Sequence, residues 1–109
     1  AWGGPPREGP IDGSVVPSAA AGSLMFAPDI TLPVVREMRE RFGDRIYGRY
    51  GFADAFHPGD GWVNPDVIGI DVGITLLSAE NLRTGRVWQW FMQNAEIPAA
   101  MERAGMGRR

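Results

Sequence analysis

The stretch that decides the fold runs over residues 70–84 and reads IDVGITLLSAENLRT. At about 100° per residue, Asp71, Thr75 and Ser78 fall in one narrow sector of a helical wheel, and apolar side chains cover most of the rest. A helix that is apolar nearly all round is typical of a buried helix. Its narrow polar strip should face a cavity or a buried polar partner. We therefore predict a buried helix over 70–84, ended by Gly85.

Helical patterns also occur on both sides of this stretch. The sequence predicts a small-residue helix over 17–27, with Ser18 as its cap and Pro28 as its end. An amphipathic helix over 31–42 follows, in which Thr31 is the N-cap and Pro33 lies in the first turn. A short aromatic helix over 86–93 and a last helix over 95–104 complete the set.

These helices form two successive pairs, 17–27 with 31–42 and 70–84 with 86–104. Each pair begins with a small or apolar helix and continues with an amphipathic one, as in a helical toroid or solenoid. The fold class is therefore all-α, with two helix pairs and long connecting loops. The loops are residues 1–14, which are rich in glycine and proline, and the irregular segment 44–69.

Length and composition exclude several classes of protein. A chain of 109 residues holds one domain at most, and 44% hydrophobic residues are typical of a chain that forms a core. The net charge of −2 gives no indication of nucleic-acid binding. No apolar run is long enough to span a membrane. Without cysteine there is no disulfide or thiolate metal site, and we expect no cofactor and no metal.

The segment 44–69 carries an unusual concentration of aromatic side chains near carboxylates and a histidine. Aromatic rings can stack on the apolar face of a pyranose, while polar neighbours bind its hydroxyls. The same rings could instead fill a gap in the core, and the sequence favours neither alternative. The candidate sugar-binding residues are Tyr50, Phe52, Phe56, His57 and Trp62.

Three carboxylates in or near this region have different expected roles. Asp71 could N-cap a helix that begins at Val72, or it could face a cleft with the rest of the polar strip. Asp54 could cap a turn in the aromatic segment. Glu80 projects from the opposite side of the central helix, so we expect it to be a buried structural partner of an arginine such as Arg49 or Arg83.

Four ordered blocks resemble the C-terminal part of the bacterial putative-glucoamylase family, the glycoside hydrolases that include endo-β-1,2-glucanases. The blocks are Trp2–Pro6 with Asp12–Ala21, Tyr50–Phe56, Ile70–Gly73, and Glu80–Gly85 with Trp88, Phe91 and Met92. The resemblance implies an (α/α)6 toroid with a central sugar cleft, of which residues 1–109 would be the C-terminal portion. Ala53, His57 and Val72 depart from the family pattern, which leaves the exact substrate open.

The resemblance also implies a function. A glycosidase needs two carboxyl groups at the scissile bond, one acting as acid and the other as base or nucleophile. Asp54 and Asp71 are the catalytic candidates, one as the base or as an anchor for a sugar hydroxyl, with the general acid upstream. The expected substrate is a β-glucan, β-1,2-glucan above all. The expected partners are this polysaccharide and the remainder of the domain, and the family suggests a periplasmic or secreted location.

Two alternatives to a catalytic role remain. One is a non-catalytic glycan-binding or structural α-toroid domain. The other is a small helical interaction module that uses the aromatic helix as its contact surface. Because the chain begins with Ala1 and has the length of about two helix pairs, we expect a fragment that is inactive alone.

Overall fold

The computed structural model describes residues 12–107, and within them it is mostly helical. Most of the predicted loop over 1–14, and the Trp2–Pro6 part of the first resemblance block, therefore lie outside the described residues. The helices are α1 (Pro17–Gly22), α2 (Pro28–Phe42), α3 (Gly69–Thr84), α4 (Arg86–Phe91) and α5 (Glu96–Arg103), and a 3₁₀ turn at Gly43–Arg45 follows α2. The all-helical prediction is confirmed in this broad form.

The central helix has the predicted bounds to within one residue. α3 begins at Gly69, after Ile68 in an extended conformation, and ends at Gly85. Gly85 has a φ of +69°, and its N–H donates to the carbonyl of Asn81. Glycine adopts this left-handed conformation without the steric cost of a Cβ, which is why the helix ends there.

The first two helices differ from the prediction at their shared boundary. α1 ends at Gly22 and not at residue 27, since residues 23–26 form turns that are tied to α3. Pro28 does not merely end a helix but begins α2, at a position where its missing N–H costs nothing. Neither Ser18 nor Thr31 is an N-cap. Thr31 lies inside α2, where its hydroxyl donates to the carbonyl of Ala27 at 2.9 Å.

The segment 44–69 is not wholly irregular, because it contains two small antiparallel hairpins. Their strands are β1 (Tyr47–Gly48) with β2 (Gly51–Phe52), and β3 (Ala55–Phe56) with β4 (Val63–Asn64). Each strand has only two residues, which is too short for a visible alternation of polar and apolar side chains. An isolated bridge joins Val15 to Phe56 and thereby attaches the segment before α1 to the second hairpin.

Four helices pack in the order α2, α1, α3, α4, and a small core lies between α2 and the hairpin segment. α1 contacts both α2 and α3, and α4 contacts α3. The core cluster consists of Met38 from α2 together with Ile46, Ala53 and Phe56 from the hairpin segment. The radius of gyration is 16.7 Å, against about 13 Å for a compact domain of this length. The chain is therefore more extended than a closed globule.

The prediction that α3 is buried on nearly all sides is wrong for this chain. Ile70 is 77% exposed and Leu76 is 66% exposed, and other apolar side chains of the helix are exposed as well. The physical reason is that, among the described residues, α3 packs mainly against α1 and α4, so much of its circumference is left open to solvent.

Candidate functional site

A cavity of about 550 Å³ opens where α2, α3 and the β1–β2 hairpin approach one another. Its walls combine apolar, aromatic and charged side chains, as sugar-binding and other small-molecule sites do. The lining residues are Ser18, Val35, Arg36, Arg39, Glu40, Tyr47, Tyr50, Gly51, Phe52, Ala53, Asp71, Val72, Thr75, Leu76 and Ala79. We call this space the α2–α3 cavity.

The β1–β2 hairpin supplies the aromatic wall of the α2–α3 cavity. Tyr47 and Phe52 are cross-strand partners, and their rings meet edge to face with centroids 4.8 Å apart. The guanidinium of Arg39 lies 4.5 Å from the centre of the Tyr47 ring. A ring held by an aromatic neighbour and a cation has a fixed orientation.

Tyr50 lies at the tip of the hairpin and is the most exposed aromatic side chain of the cavity. Its side chain is 66% exposed, and the guanidinium of Arg49 lies 5.2 Å from the centre of its ring. Gly51, the next residue, has a φ of +112°, a conformation that side chains with a Cβ rarely adopt. The tight turn at Gly51 is therefore what places Tyr50 at the mouth of the cavity.

α3 supplies the acidic side of the α2–α3 cavity through Asp71. Because the helix begins at Gly69, Asp71 is its third residue and not its N-cap, so the capping alternative is wrong. A carboxylate in the first turn of a helix interacts favourably with the partial positive charge of the helix N-terminus. Thr75, one turn further on, lines the same cavity. The predicted polar strip thus faces a cavity with Asp71 and Thr75.

The third residue of the strip has a structural role. Ser78 is completely buried, and its hydroxyl oxygen accepts a hydrogen bond from the backbone N–H of Met25 at 3.0 Å. Asn81, one turn later, accepts the N–H of Trp88 with its side-chain oxygen and donates to the Met25 sulfur. This part of α3 therefore faces a buried polar partner, the other environment expected for the strip.

Asp54 does not line the α2–α3 cavity. Its carboxylate accepts a hydrogen bond from the side-chain amide of Asn64 at 2.9 Å, and its backbone N–H donates to the carbonyl of Asp66. These contacts fasten β4 and the segment after it to the chain before β3. The structure therefore does not bring the two predicted catalytic carboxylates together in one cavity.

Phe56 is in the core and not on a binding surface. Its side chain is 2% exposed and packs against Phe42 with ring centroids 4.7 Å apart. A ring enclosed in this way offers no face to a sugar, so for Phe56 the prediction of a substrate contact is wrong. The alternative that some aromatic side chains fill a gap in the core is correct for this residue.

His57 and Trp62 line a second, smaller pocket of about 330 Å³, together with Asp12, Ser14 and Asp60. Trp62 is half exposed. The residues lining this pocket differ entirely from those of the α2–α3 cavity. Of the five predicted sugar-binding residues, Tyr50 and Phe52 thus line the α2–α3 cavity and His57 and Trp62 line the smaller pocket. Phe56 lies in the core.

Glu80 forms the predicted pair with an arginine, although it is only partly buried. Its carboxylate accepts a hydrogen bond from Arg83 at 2.9 Å and another from the hydroxyl of Thr84 at 3.0 Å. These two contacts hold the pKa of Glu80 below its ordinary value, the arginine having the larger effect. The pair lies within α3 and stabilises its last turn, so it has no part in the cavity.

Several residues of the α2–α3 cavity were not predicted from the sequence as site residues. Arg36, Arg39 and Glu40 have the pattern of the solvent face of an amphipathic helix, and Tyr47 is one aromatic residue among several. The helical spacing of Val35, Arg39 and Glu40 places them on one side of α2, but only the packed hairpin shows that this side faces a cavity.

Two further features of the described residues bear on function. Among them, no three histidine, cysteine or carboxylate side chains converge in a way that could hold a metal ion. Within residues 12–107, no helix combines the length and apolar character needed to cross a lipid bilayer.

Comparison with known proteins identifies relatives in sequence and in fold. The family model described as putative glucoamylase matches residues 1–95. The crystal structure of a putative glucoamylase from Bacteroides uniformis is 37% identical, with a TM-score of 0.77 over 87% of this chain and 23% of that one. The endo-β-1,2-glucanase from Chitinophaga pinensis, solved with sophorotriose and glucose, is 30% identical, with a TM-score of 0.75 over 83% and 22%.

A curated relative from Parabacteroides distasonis is an exo-β-1,2-glucooligosaccharide sophorohydrolase that acts at the non-reducing end. It is 28% identical over 92 residues, which are 84% of this chain and 13% of the relative. The chain therefore spans between about an eighth and a quarter of the length of these relatives. Since the family model covers most of its residues, the chain belongs to the putative glucoamylase family.

Proposed function

We propose that this chain is the C-terminal part of a glycoside hydrolase that acts on β-glucan, with β-1,2-glucan as the preferred substrate. Two of the relatives are named as hydrolases of β-1,2-linked glucose polymers or oligosaccharides, and one was solved with sophorotriose. In this proposal residues 1–109 supply two helix pairs of an (α/α)6 toroid. The remainder of the domain is the chain's main protein partner, and a β-glucan is its ligand.

The observation that carries the proposal is the position of Asp71 in the same cavity as Tyr50 and Phe52. A carboxylate beside aromatic rings suits a sugar, whose C–H face packs on the rings while its hydroxyls bind the acidic group. Arg36, Arg39 and Glu40 on the opposite wall add donors and an acceptor for further hydroxyls.

The chemistry assigns different roles to the two predicted catalytic residues. Asp71 is the better candidate for the catalytic base or for an anchor of a sugar hydroxyl, since it lines the cavity. Asp54 remains the second candidate, although Asn64 already occupies one of its carboxylate oxygens. A general acid with a raised pKa is also required, and we place it outside these 109 residues.

The toroid is supported by the apolar surface that α3 leaves open. A helix with Ile70, Ile74 and Leu77 exposed is stable in water only if other surfaces cover these side chains. Further helices of a toroid would do so, since in that architecture the helices of one pair pack against those of the next. The extended shape of the described chain agrees with this arrangement.

A structural or glycan-binding role without catalysis is the second candidate function. The observation that favours it is the apolar part of the cavity lining, formed by Val35, Val72, Leu76 and Ala79. Such a wall suits a helix of the remaining domain as well as it suits a sugar. In that case Asp71 and Tyr50 would lie at the rim of a packed interface.

The experiment that tests the proposal is hydrolysis by the full-length protein that carries these residues. Purified protein is incubated with β-1,2-glucan and, as matched controls, with β-1,3- and β-1,4-glucans, and new reducing ends are measured. We expect release from β-1,2-glucan above the other two polymers. Binding of β-1,2-glucan without release would favour the glycan-binding role. Neither binding nor release would contradict both hydrolysis and glycan binding and leave only the structural role.

A further inference from the structure

His57 joins two segments of the chain that are otherwise connected by the short bridge between Val15 and Phe56. Its Nε2 lies 2.9 Å from the carbonyl oxygen of Asp12, ahead of α1. Its Nδ1 lies 3.1 Å from the backbone nitrogens of both Gly59 and Asp60, in the turn of the second hairpin. The imidazole ring is half-buried and is engaged at both nitrogens.

The partners of the ring determine its protonation state. Gly59 and Asp60 offer N–H groups, which can only donate, so Nδ1 must carry a lone pair and no proton. The carbonyl of Asp12 can only accept, so Nε2 must carry a proton. The hydrogen bonds to Asp12, Gly59 and Asp60 therefore fit the neutral tautomer of His57 with its proton on Nε2.

This neutral ring supports the turn that leads to Trp62. The N–H of Trp62 donates to the Asp60 carboxylate at 2.8 Å, while the N–H of His57 donates to the carbonyl of Trp62. Gly59 lies against the imidazole, because a Cβ added there would be 3.1 Å from a ring carbon. The turn is thus built around the ring.

We propose that His57 is a pH-sensitive clasp that holds the segment before α1 to the turn 57–62 when it is neutral and releases that turn when it is protonated. Protonated Nδ1 has no lone pair, so the two N–H groups of Gly59 and Asp60 lose their acceptor and face a third donor. Histidine is the side chain whose charge ordinarily changes between about pH 5 and 8. The clasp operates independently of the proposed glucan hydrolysis.

Charged groups around the ring determine how the turn responds to protonation. The Asp60 carboxylate is 3.2 Å from Nδ1, so it can accept a hydrogen bond from Nδ1 once this nitrogen is protonated. To do so it must give up or share the N–H of Trp62. Asp12 lines the same pocket as His57, and its carboxylate accepts a hydrogen bond from the N–H of Ser14. Arg45 reaches the turn at the carbonyl of Gly61.

Hydrogen exchange of the full-length protein that carries these residues tests the clasp. Protection of the amides in a peptide covering residues 57–62 is measured between about pH 8 and pH 5 and corrected for intrinsic exchange. We expect protection to fall several-fold on acidification. The matched control is His57→Asn, whose side-chain oxygen can accept the same turn amides without titrating, so its protection should stay constant.

Two outcomes would overturn the clasp: constant protection in the wild type, or the same fall in His57→Asn. Should His57→Asn lose protection at both pH values, Asp60→Asn decides. Removing the Asp60 charge disfavours the protonated ring, so the midpoint of the wild-type transition should move to lower pH. An unchanged midpoint in Asp60→Asn would show that protonation of His57 does not cause the fall in protection, and would overturn the clasp.

Discussion

The hydroxyl oxygen of Ser78, in the middle of α3, accepts a hydrogen bond from the backbone N–H of Met25 at 3.0 Å, although 53 residues separate them. The contact satisfies an amide in the turn between α1 and α2, and the serine that makes it has no exposed surface. It is one of the polar contacts that attach the first helix pair to the second. It also explains why the polar strip of α3 extends beyond the cavity.

Ser78→Ala should destabilise the protein by roughly 1–3 kcal/mol, because the partly buried N–H of Met25 would lose its acceptor. Chemical denaturation measures the change in the free energy of unfolding. The matched control is Ser23→Ala, which removes an exposed hydroxyl bonded to the carbonyl of Ala19 and should change stability by less than about 0.5 kcal/mol. Equal effects of the two substitutions would show that the contact with Met25 contributes no more to the free energy of unfolding than an exposed hydrogen bond does.

The pair of Glu80 with Arg83 should stabilise the fold in a pH-dependent way. Since these contacts lower the pKa of Glu80 in the folded state, their contribution is present above the ordinary value of 4.5 and is lost as pH falls through the lowered pKa. The difference in unfolding free energy between wild type and Glu80→Gln should therefore shrink at acidic pH. In an Arg83→Ala background, the Glu80→Gln substitution should have a smaller effect at neutral pH. An effect of unchanged size there would exclude coupling between the two side chains.

The 109-residue chain produced alone should self-associate, because exposed apolar side chains on α3 and α4 would find one another in water. Size-exclusion chromatography with light scattering gives the mass. Replacing Ile70 and Leu77 with serine should shift the chain towards a monomer. A monomeric wild-type chain with a cooperative melt would instead show a self-sufficient domain, and the proposal of a partial toroid would be wrong.

Tyr50→Ala should lower kcat/KM for hydrolysis of β-1,2-glucan by the full-length protein. A pyranose that covers ~50 Å² of the ring gains about 1.3 kcal/mol from burial, which corresponds to roughly a tenfold loss of kcat/KM when the ring is removed. The matched control is Tyr50→Phe, which keeps the ring and should retain most of kcat/KM. Unchanged kinetics in Tyr50→Ala would remove this side chain from the substrate site.

Helices whose ends are marked by glycine or proline could be predicted from the sequence, whereas the burial of their faces could not. Gly85 and the apolar pattern before it locate α3 to within a residue. The exposure of Ile70 depends on which helices surround α3. The residues of α3 do not themselves indicate which helices those are. The predicted start of α2 is wrong because Thr31 and Pro28 are both plausible first residues, and the sequence alone does not show that turns over 23–26 end α1 ahead of Pro28.

The candidate site was predicted in part, for a similar reason. Asp71 follows from the polar strip, and Tyr50 and Phe52 follow from the concentration of aromatic residues. Sequence alone could not separate Phe56 from these, since two-residue strands show no periodicity that would reveal which ring points into the core. Likewise, the contact of Asp54 with Asn64 arises from hairpin pairing across ten residues and has no local sequence pattern.

The most direct test of the central claim is the hydrolysis of β-1,2-glucan by Asp71→Asn in the full-length protein, with Asp54→Asn measured beside it. Thermal melts of both variants establish that they are folded. If Asp71 is the catalytic base, kcat should fall by roughly a hundredfold or more, and by much more than in Asp54→Asn. A wild-type kcat in folded Asp71→Asn would contradict the claim, and wild-type kcat in both variants would remove catalysis from this part of the chain.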